Sequence, residues 1–254
     1  MRVERVDLTV DTRSPDGRVA AYVVGSRPAV LVDPGTHSDA LDALVEEAGV
    51  EHVCCTHHHS DHTGGVAHYA EGVTVWARAG REDEFTEATG VDPDRTFREG
   101  TTVVEDVDVM ETPGHAPEHV ALSTPAGTLS GDLAVAEGSV VVGAPEGDMR
   151  AYLSSLRRLY ARDPERLYPG HGPVIENPRK SIERLISHRL SRETSVLAAV
   201  SSGARTVPRI TDAAYEKDLT GVKDLARATV RAHLEKLAAE GRVEWDGERA
   251  RPAE

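Results

Sequence analysis

Short apolar runs separated by polar turns set the rhythm of the first two thirds of the chain. Val3 to Val10, Val19 to Val24 and Ala29 to Val32 read as strands of a meander, broken by Ser14-Pro15-Asp16-Gly17 and Ser26-Arg27-Pro28. Asp39 to Glu47 carries a helical pattern that Gly49 closes, and the apolar Val53-Cys54-Cys55 reads as the next strand. Another helix begins at His62-Thr63-Gly64-Gly65, and Val73 to Ala77 returns to strand patterning. Thr102 to Val104, Val107 to Met110, Val120 to Leu122, Thr128 to Ser130 and Val140 to Val142 add short strand-like runs, and Met149 to Tyr160 has amphipathic helical spacing. Strands alternating with helices predict an α/β fold of layered sheets with helices outside.

After Pro173-Val174-Ile175-Glu176-Asn177-Pro178 the pattern lengthens. Ile182, Leu185 and Ile186, then Val196, Leu197 and Val200, are spaced for one buried helix face that ends at Gly203. A short helix is expected around Ile210 to Tyr215. A longer one, Val222 to Glu240, would bury Ala226, Val230, Leu234 and Leu237 and stop at Gly241. Val243 to Glu248 reads as a strand running into a tight Asp-Gly turn. Three helices and a small hairpin predict a winged helix, so the expected division is a larger domain over 1–176 and a helical, winged-helix-like one over 177–254.

Candidate chemistry is concentrated at the ends of the apolar runs. Thr56-His57-His58-His59-Ser60-Asp61-His62 follows a presumed strand directly; His57 and His59, two apart, can point the same way, while Asp61 and His62 can face a second ion. His115 in Pro113-Gly114-His115, Asp132 in Ser130-Gly131-Asp132 and His171 in Pro169-Gly170-His171 each end a short apolar run beside glycine, which lets the backbone turn sharply at a sheet rim. Five histidines and two aspartates suit a pair of divalent metals. His37, His52, His58 and His68 carry no such context and are expected to be ordinary surface or packed histidines.

The order of these segments resembles the metallo-β-lactamase superfamily, whose His-x-His-x-Asp-His, Pro-Gly-His, Gly-Asp and Gly-His segments recur here in the same order. The resemblance implies an αββα metallo-β-lactamase sandwich with the metals at one edge of two facing sheets. It further implies that His57, His59 and His115 hold the first metal, Asp61, His62 and His171 the second, and that Asp132 bridges both. Leu31-Val32-Asp33-Pro34-Gly35 looks like the family's early strand end, where Asp33 would orient a ligand imidazole. Glu118 departs from the family's Gly-His-x-x-Gly-His writing, so His119 is kept out of the ligand set. The tail, from Tyr168-Pro169-Gly170-His171 to Glu240-Gly241-Arg242-Val243, looks like the lactamase-beta-like proteins that carry a C-terminal winged helix.

Composition changes the picture in two ways. The chain of 254 residues has 43 acidic side chains against 29 basic ones, only two Phe, and a net charge of −14. Its lysines are Lys180, Lys217, Lys223 and Lys236, the other basic residues being arginines. This is the profile of a protein adapted to concentrated salt, or of an arginine-rich product of a GC-rich genome. The charge is also uneven: residues 1–176 hold 31 acidic and 14 basic side chains and residues 177–254 hold 12 and 15, so the comparatively basic tail is the better candidate for an anionic partner. There is no apolar run of about 18 residues to span a bilayer, and the start, Met1 to Asp7, lacks the apolar stretch of a signal peptide. Cys54 and Cys55, adjacent and in a strand, are expected to be buried thiols, so the expected location is the cytoplasm.

The function expected is a dinuclear metal-dependent hydrolase in which a metal-bridging hydroxide attacks, with Asp61 holding it by a hydrogen bond and carrying its proton. The cofactors expected are two divalent ions, Zn²⁺ first, with Fe or Mn fitting the same donors. The winged-helix resemblance implies an endoribonuclease-like phosphodiesterase on single-stranded RNA, and Lys223, Arg227 and Arg231 fall four apart on one helix face. The rival is a thioester hydrolase resembling hydroxyacylglutathione hydrolases, or a lactonase, acting on a small-molecule ester or thioester. A true β-lactamase is disfavoured by Asp132, a diiron flavoprotein by His59, and a mononuclear sulfur oxygenase by the spare Asp61 and His62. A non-enzymatic winged-helix DNA-binding protein would have no use for seven intact ligands.

Overall fold

The computed structural model describes residues 1–253. The first sheet is built from β1 (Val3–Thr9), β2 (Arg18–Gly25), β3 (Ala29–Val32), then, after helix α1 (Asp39–Ala48), β4 (Val50–Cys54). Short helices α2 (Ser60–Thr63) and α3 (Val66–Tyr69) lead to β5 (Thr74–Arg78), and α4 (Glu82–Thr89) to β6 (Arg95–Phe97). These six strands lie in chain order, antiparallel through β3 and parallel from β3 to β6.

The second sheet comprises β7 (Thr102–Val104), β8 (Val107–Glu111), β9 (Val120–Thr124) and β10 (Gly127–Gly131), with β11 (Leu167–Pro169) added parallel to β10 after helix α5 (Met149–Arg162). The two sheets share an inner core. Tyr22, Val30, Val32, Cys54, Trp76 and Phe97 of the first meet Val107, Val109, Val120, Leu122 and Leu129 of the second. Alternation decides the rest: Val19, Ala21, Val23 and Leu31 point outward to Leu41, Val66 and Phe85 of the covering helices. On the far side Met110 and Leu167 pack under Met149, Tyr152 and Leu156 of α5. The layers are therefore α, β, β, α, as the strand and helix patterning with the resemblance led us to expect. Cys54 and Cys55 obey the same rule; both are free and buried, one in the inner core and one in the outer.

The run Val140 to Val142, expected as a strand, is not one. Val140 and Val142 are buried with α5, but the backbone answers side chains instead of a neighbouring strand: the Val141 carbonyl accepts from His115 Nδ1 at 2.6 Å and the Val140 carbonyl from Arg189. Apolarity marked burial there, not pairing.

Beyond β11 the chain forms α6 (Pro178–Ser201), α7 (Val207–Ala214), α8 (Lys223–Ala239) and a hairpin of β12 (Val243–Trp245) with β13 (Ala250–Pro252). Val196, Val200, Ile210, Val230, Leu234, Leu237, Val243 and Ala250 form the core of this winged helix. The first half of α6 belongs elsewhere, since Ile182 and Leu185 pack with α5. Among the described residues no helix is long and apolar enough to cross a membrane.

Candidate metal centre

Strands β4, β10 and β11 deliver their following residues to one edge of the two sheets, so His57, Asp132 and His171 meet there although they are far apart in the chain. After β4 the backbone turns at His59, which sits in extended geometry immediately before α2, and the first turn of α2 presents Asp61 and His62. His115 comes from the turn after β8. All seven expected ligands converge, in three overlapping groups: His57, His59 and His115; His57, His62 and Asp132; Asp61, His62 and His171.

The hydrogen bonds around the cluster fix which nitrogen of each ring faces it. Thr56 Oγ1 donates to Asp33 Oδ2 at 2.8 Å, so it accepts from His57 Nδ1 at 3.0 Å. His62 Nδ1 donates to Asp33 Oδ2 (3.0 Å), His115 Nδ1 to the Val141 carbonyl (2.6 Å), His171 Nδ1 to the Arg18 carbonyl (2.6 Å) and His59 Nε2 to Glu146 Oε1 (3.1 Å). Each ring thereby spends its proton outward, as ligand imidazoles do. The inward nitrogens are left facing one another: His59 Nδ1 lies 3.0 Å from both His57 Nε2 and His115 Nε2, and His62 Nε2 lies 3.3 Å from His171 Nε2. Lone pairs at that separation repel unless positive charge sits between them. Although burial opposes it, the carboxylates of Asp33, Asp132 and Asp61 hold the His62 pKa up at about 9, so the position attracts a cation, and a divalent ion would displace the proton. Burial pushes His57 the other way, well below the usual histidine range.

Asp132 stands between the two halves. Its Oδ1 lies 3.6 Å from both His62 Nε2 and His171 Nε2, and its Oδ2 lies 3.5 Å from His115 Nε2. Oδ1 is buried with no hydrogen-bond partner among the described residues, a costly state for a carboxylate that a cation would relieve. The donor set, the tautomers and this orphaned oxygen together fit two divalent ions. Gly170 is required for the approach: a Cβ there would come within 2.6 Å of His62 Cε1 and 2.8 Å of Asp132 Oδ1.

His119 is not aimed into the cluster. Its Nε2 accepts the Asp132 amide N–H at 3.0 Å, so Nδ1 carries the proton and donates to Thr112 Oγ1 at 2.8 Å. Burial holds its pKa down at about 3, which keeps the ring neutral and able to accept. His58 packs edge-on to Phe85, His52 accepts from Trp76, and His37 stacks on His68, all outside the centre. Two groups at the site had no signal in the sequence, Glu146 against His59 and Thr12 against Asp61, where Thr12 Oγ1 lies 2.5 Å from Asp61 Oδ2.

Residues 14–171 match the family described as Metallo-beta-lactamase superfamily, and residues 206–251 match the Beta-lactamase associated winged helix domain. The chain belongs to the metallo-beta-lactamase superfamily. It is a hydrolase of that superfamily with a C-terminal winged helix. It is 33% identical over 245 residues to the Beta-lactamase-like protein 2 homolog of Drosophila melanogaster, covering 87% of this chain and 82% of that one. It is 29% identical over 205 residues to a protein of Aspergillus fumigatus named Atrochrysone carboxyl ACP thioesterase, covering 76% and 62%. The solved metallo-beta-lactamase family protein TTHA1429 of Thermus thermophilus shares the fold along 98% of both chains, with a TM-score of 0.79 at 22% identity.

In this member the centre opens into a cleft of about 660 Å³. Val135, Val140, Val141, Pro173 and Leu225 give it an apolar wall, and Asp11, Asp16, Glu137 and Glu146 stand along it. The basic stripe of α8 is partly neutralised: Lys223 pairs with Asp212 at 3.0 Å and Arg231 with Glu235 at 3.2 Å. Arg189 is buried against the Tyr152 ring, and Arg192 lies over Tyr215, so both serve packing and not the cleft.

Proposed function

We propose that the protein is a dinuclear metal-dependent acyl hydrolase that cleaves a thioester or ester with an apolar acyl group. The observation that carries this reading is the cleft: an apolar wall beside the metal cluster, with carboxylates where a polyanion would have to lie. The single arginine of that lining, Arg13, is engaged by Asp224. An RNA backbone would bring further negative charge against Asp11, Asp16, Glu137 and Glu146. The thioesterase name borne by the Aspergillus relative supports the same substrate class.

In this reading His57, His59 and His115 hold one ion, Asp61, His62 and His171 the other, and Asp132 both, with Asp33 fixing the His62 ring. Two such ions, Zn²⁺ by the balance of imidazole and carboxylate donors, would supply a water ionised near neutral pH and polarise the acyl oxygen. Asp61 Oδ2 is taken by Thr12 and faces His171, which leaves Oδ1 to receive the proton of the attacking water and pass it to the leaving sulfur or oxygen. Val135, Val140, Val141 and Leu225 hold the acyl chain and keep water from it. We place the catalytic domain over residues 1–176 and the appended one over 177–254, with the start of α6 packing back on α5. A cytoplasmic location fits the two free buried thiols, and adaptation to concentrated salt fits the net charge.

The test sets zinc-replete protein in high salt against an acyl thioester and against labelled single-stranded RNA, with His59→Ala as the control for contaminants. We expect thioester turnover that His59→Ala abolishes, with RNA left intact. RNA cleavage that depends on His59, without thioester turnover, would reverse the assignment.

A further inference from the structure

Two loops rim the metal centre, each reaches it with one side-chain hydrogen bond, and both rest on the same helix. In the loop between β1 and β2, Thr12 Oγ1 accepts the Ser14 amide N–H at 3.2 Å, so its own proton points to Asp61 Oδ2, 2.5 Å away. That oxygen also faces His171 Nε2, at 3.4 Å. In the loop before α5, Glu146 Oε1 takes the Nε2 proton of His59, which keeps Nδ1 as the acceptor turned to the cluster. One loop therefore restrains a carboxylate of one half of the centre, and the other sets the tautomer of an imidazole in the other half.

Neither loop stands alone. Beside Thr12, Arg13 reaches both oxygens of Asp224 at 3.2 Å and the Gly221 carbonyl at 3.2 Å. In the second loop the Ala144 amide donates to the Ala228 carbonyl at 3.2 Å, and Gly143 lies so close to α8 that a Cβ would meet the Ala228 Cβ at 2.8 Å. Asp224 and Ala228 are one helical turn apart and share a face of α8, and Leu225 between them lines the cleft.

We propose that Thr12 and Glu146 are positioning residues of the metal centre and that the Asp224 to Ala228 face of α8 seats both loops. The winged helix is then part of the hydrolytic site's support and not an independent module. Asp61 sits on a four-residue helix and His59 just before it, so their side chains gain definition from partners outside that turn. The inference rests on the two-ion reading above but not on the identity of the substrate.

Zinc affinity tests it without any substrate, by titrating apo-protein with Zn²⁺ against a chromophoric chelator. Thr12→Val and Glu146→Ala should each weaken zinc binding by roughly 10–100-fold, and Thr12→Ser and Glu146→Gln, which keep the donor and the acceptor, should restore it. Gly143→Ala, which pushes the second loop off α8, should weaken it in the same direction. With a working substrate, Thr12→Val should lower kcat with KM changed less than about twofold. Should Thr12→Val melt early, Thr12→Ala removes the same hydroxyl with less bulk. Unchanged zinc affinity in Thr12→Val and Glu146→Ala overturns the positioning roles, as does a loss that the conservative variants fail to restore. Unchanged affinity in Gly143→Ala overturns the seat on α8. Absence of thioester turnover with these affinity changes intact would instead count against the acyl-hydrolase reading alone.

Discussion

At Asp33 one buried carboxylate answers three donors: Oδ1 takes the Thr56 amide at 2.6 Å, and Oδ2 takes Thr56 Oγ1 at 2.8 Å and His62 Nδ1 at 3.0 Å. Through Thr56 it also fixes His57, so a single side chain sets the rings of both halves of the centre. Asn at this position offers one acceptor oxygen and an amide that must oppose either the Thr56 backbone N–H or the His62 N–H. Asp33→Asn should therefore weaken zinc binding by about 10–100-fold and leave a strained donor costing roughly 1–3 kcal/mol of stability. Chelator competition and thermal unfolding read the two effects, and wild-type zinc affinity would refute the role. The expected ligands were legible because each sits in a short local context: a strand end, a glycine, a histidine or aspartate. Thr12 and Glu146 have no such context. They are 49 and 87 residues from the side chains they touch, and only the folded chain defines them.

Elements with strong periodicity were legible for the same reason. The alternation in β2 and β3 sends Tyr22 and Val30 inward and Val23 and Leu31 outward, and α8 buries Ala226, Val230, Leu234 and Leu237 as the helical spacing of three and four requires. Helix α4 was not anticipated because it buries only Phe85, leaving no apolar stripe to detect. β6 is three residues long, with only Phe97 buried, too short for alternation to declare itself. Val140 to Val142 fails for a different reason, since a buried apolar run needs a free partner edge to become a strand. Here the Val140 and Val141 carbonyls are committed to Arg189 and His115. α6 carries two apolar sets on one long helix, and the structure gives Ile182 and Leu185 to the core under α5, and Val196 and Val200 to the winged helix. Spacing announces a helix; it does not say which core each end will join.

For the molecule as a whole, the winged helix depends on a buried charge network as well as on its apolar core. Burial opposes the charge of Glu193, yet His233, 3.9 Å away, and Lys236 at 2.6 Å keep its pKa down at about 2, and Arg242 also reaches the carboxylate at 2.9 Å. A carboxylate whose folded pKa lies below its unfolded value contributes stability that is present above the unfolded value and lost as pH falls through the folded one. The window here runs from about pH 4.3 down to about 2. Glu193→Gln should accordingly be less stable than wild type at pH 7, by about 3 kcal/mol at most, and the gap should close as pH falls towards 2. A gap independent of pH in denaturant unfolding would remove the network from the account. The two-ion reading proposed above has seven residues from four segments, drawn together at one sheet edge, holding two cations across Asp132. Its most direct test is the zinc content of reconstituted protein freed of excess metal. Two ions per chain are expected, with a loss of at least one in Asp132→Ala; one ion or none per wild-type chain would contradict the dinuclear centre.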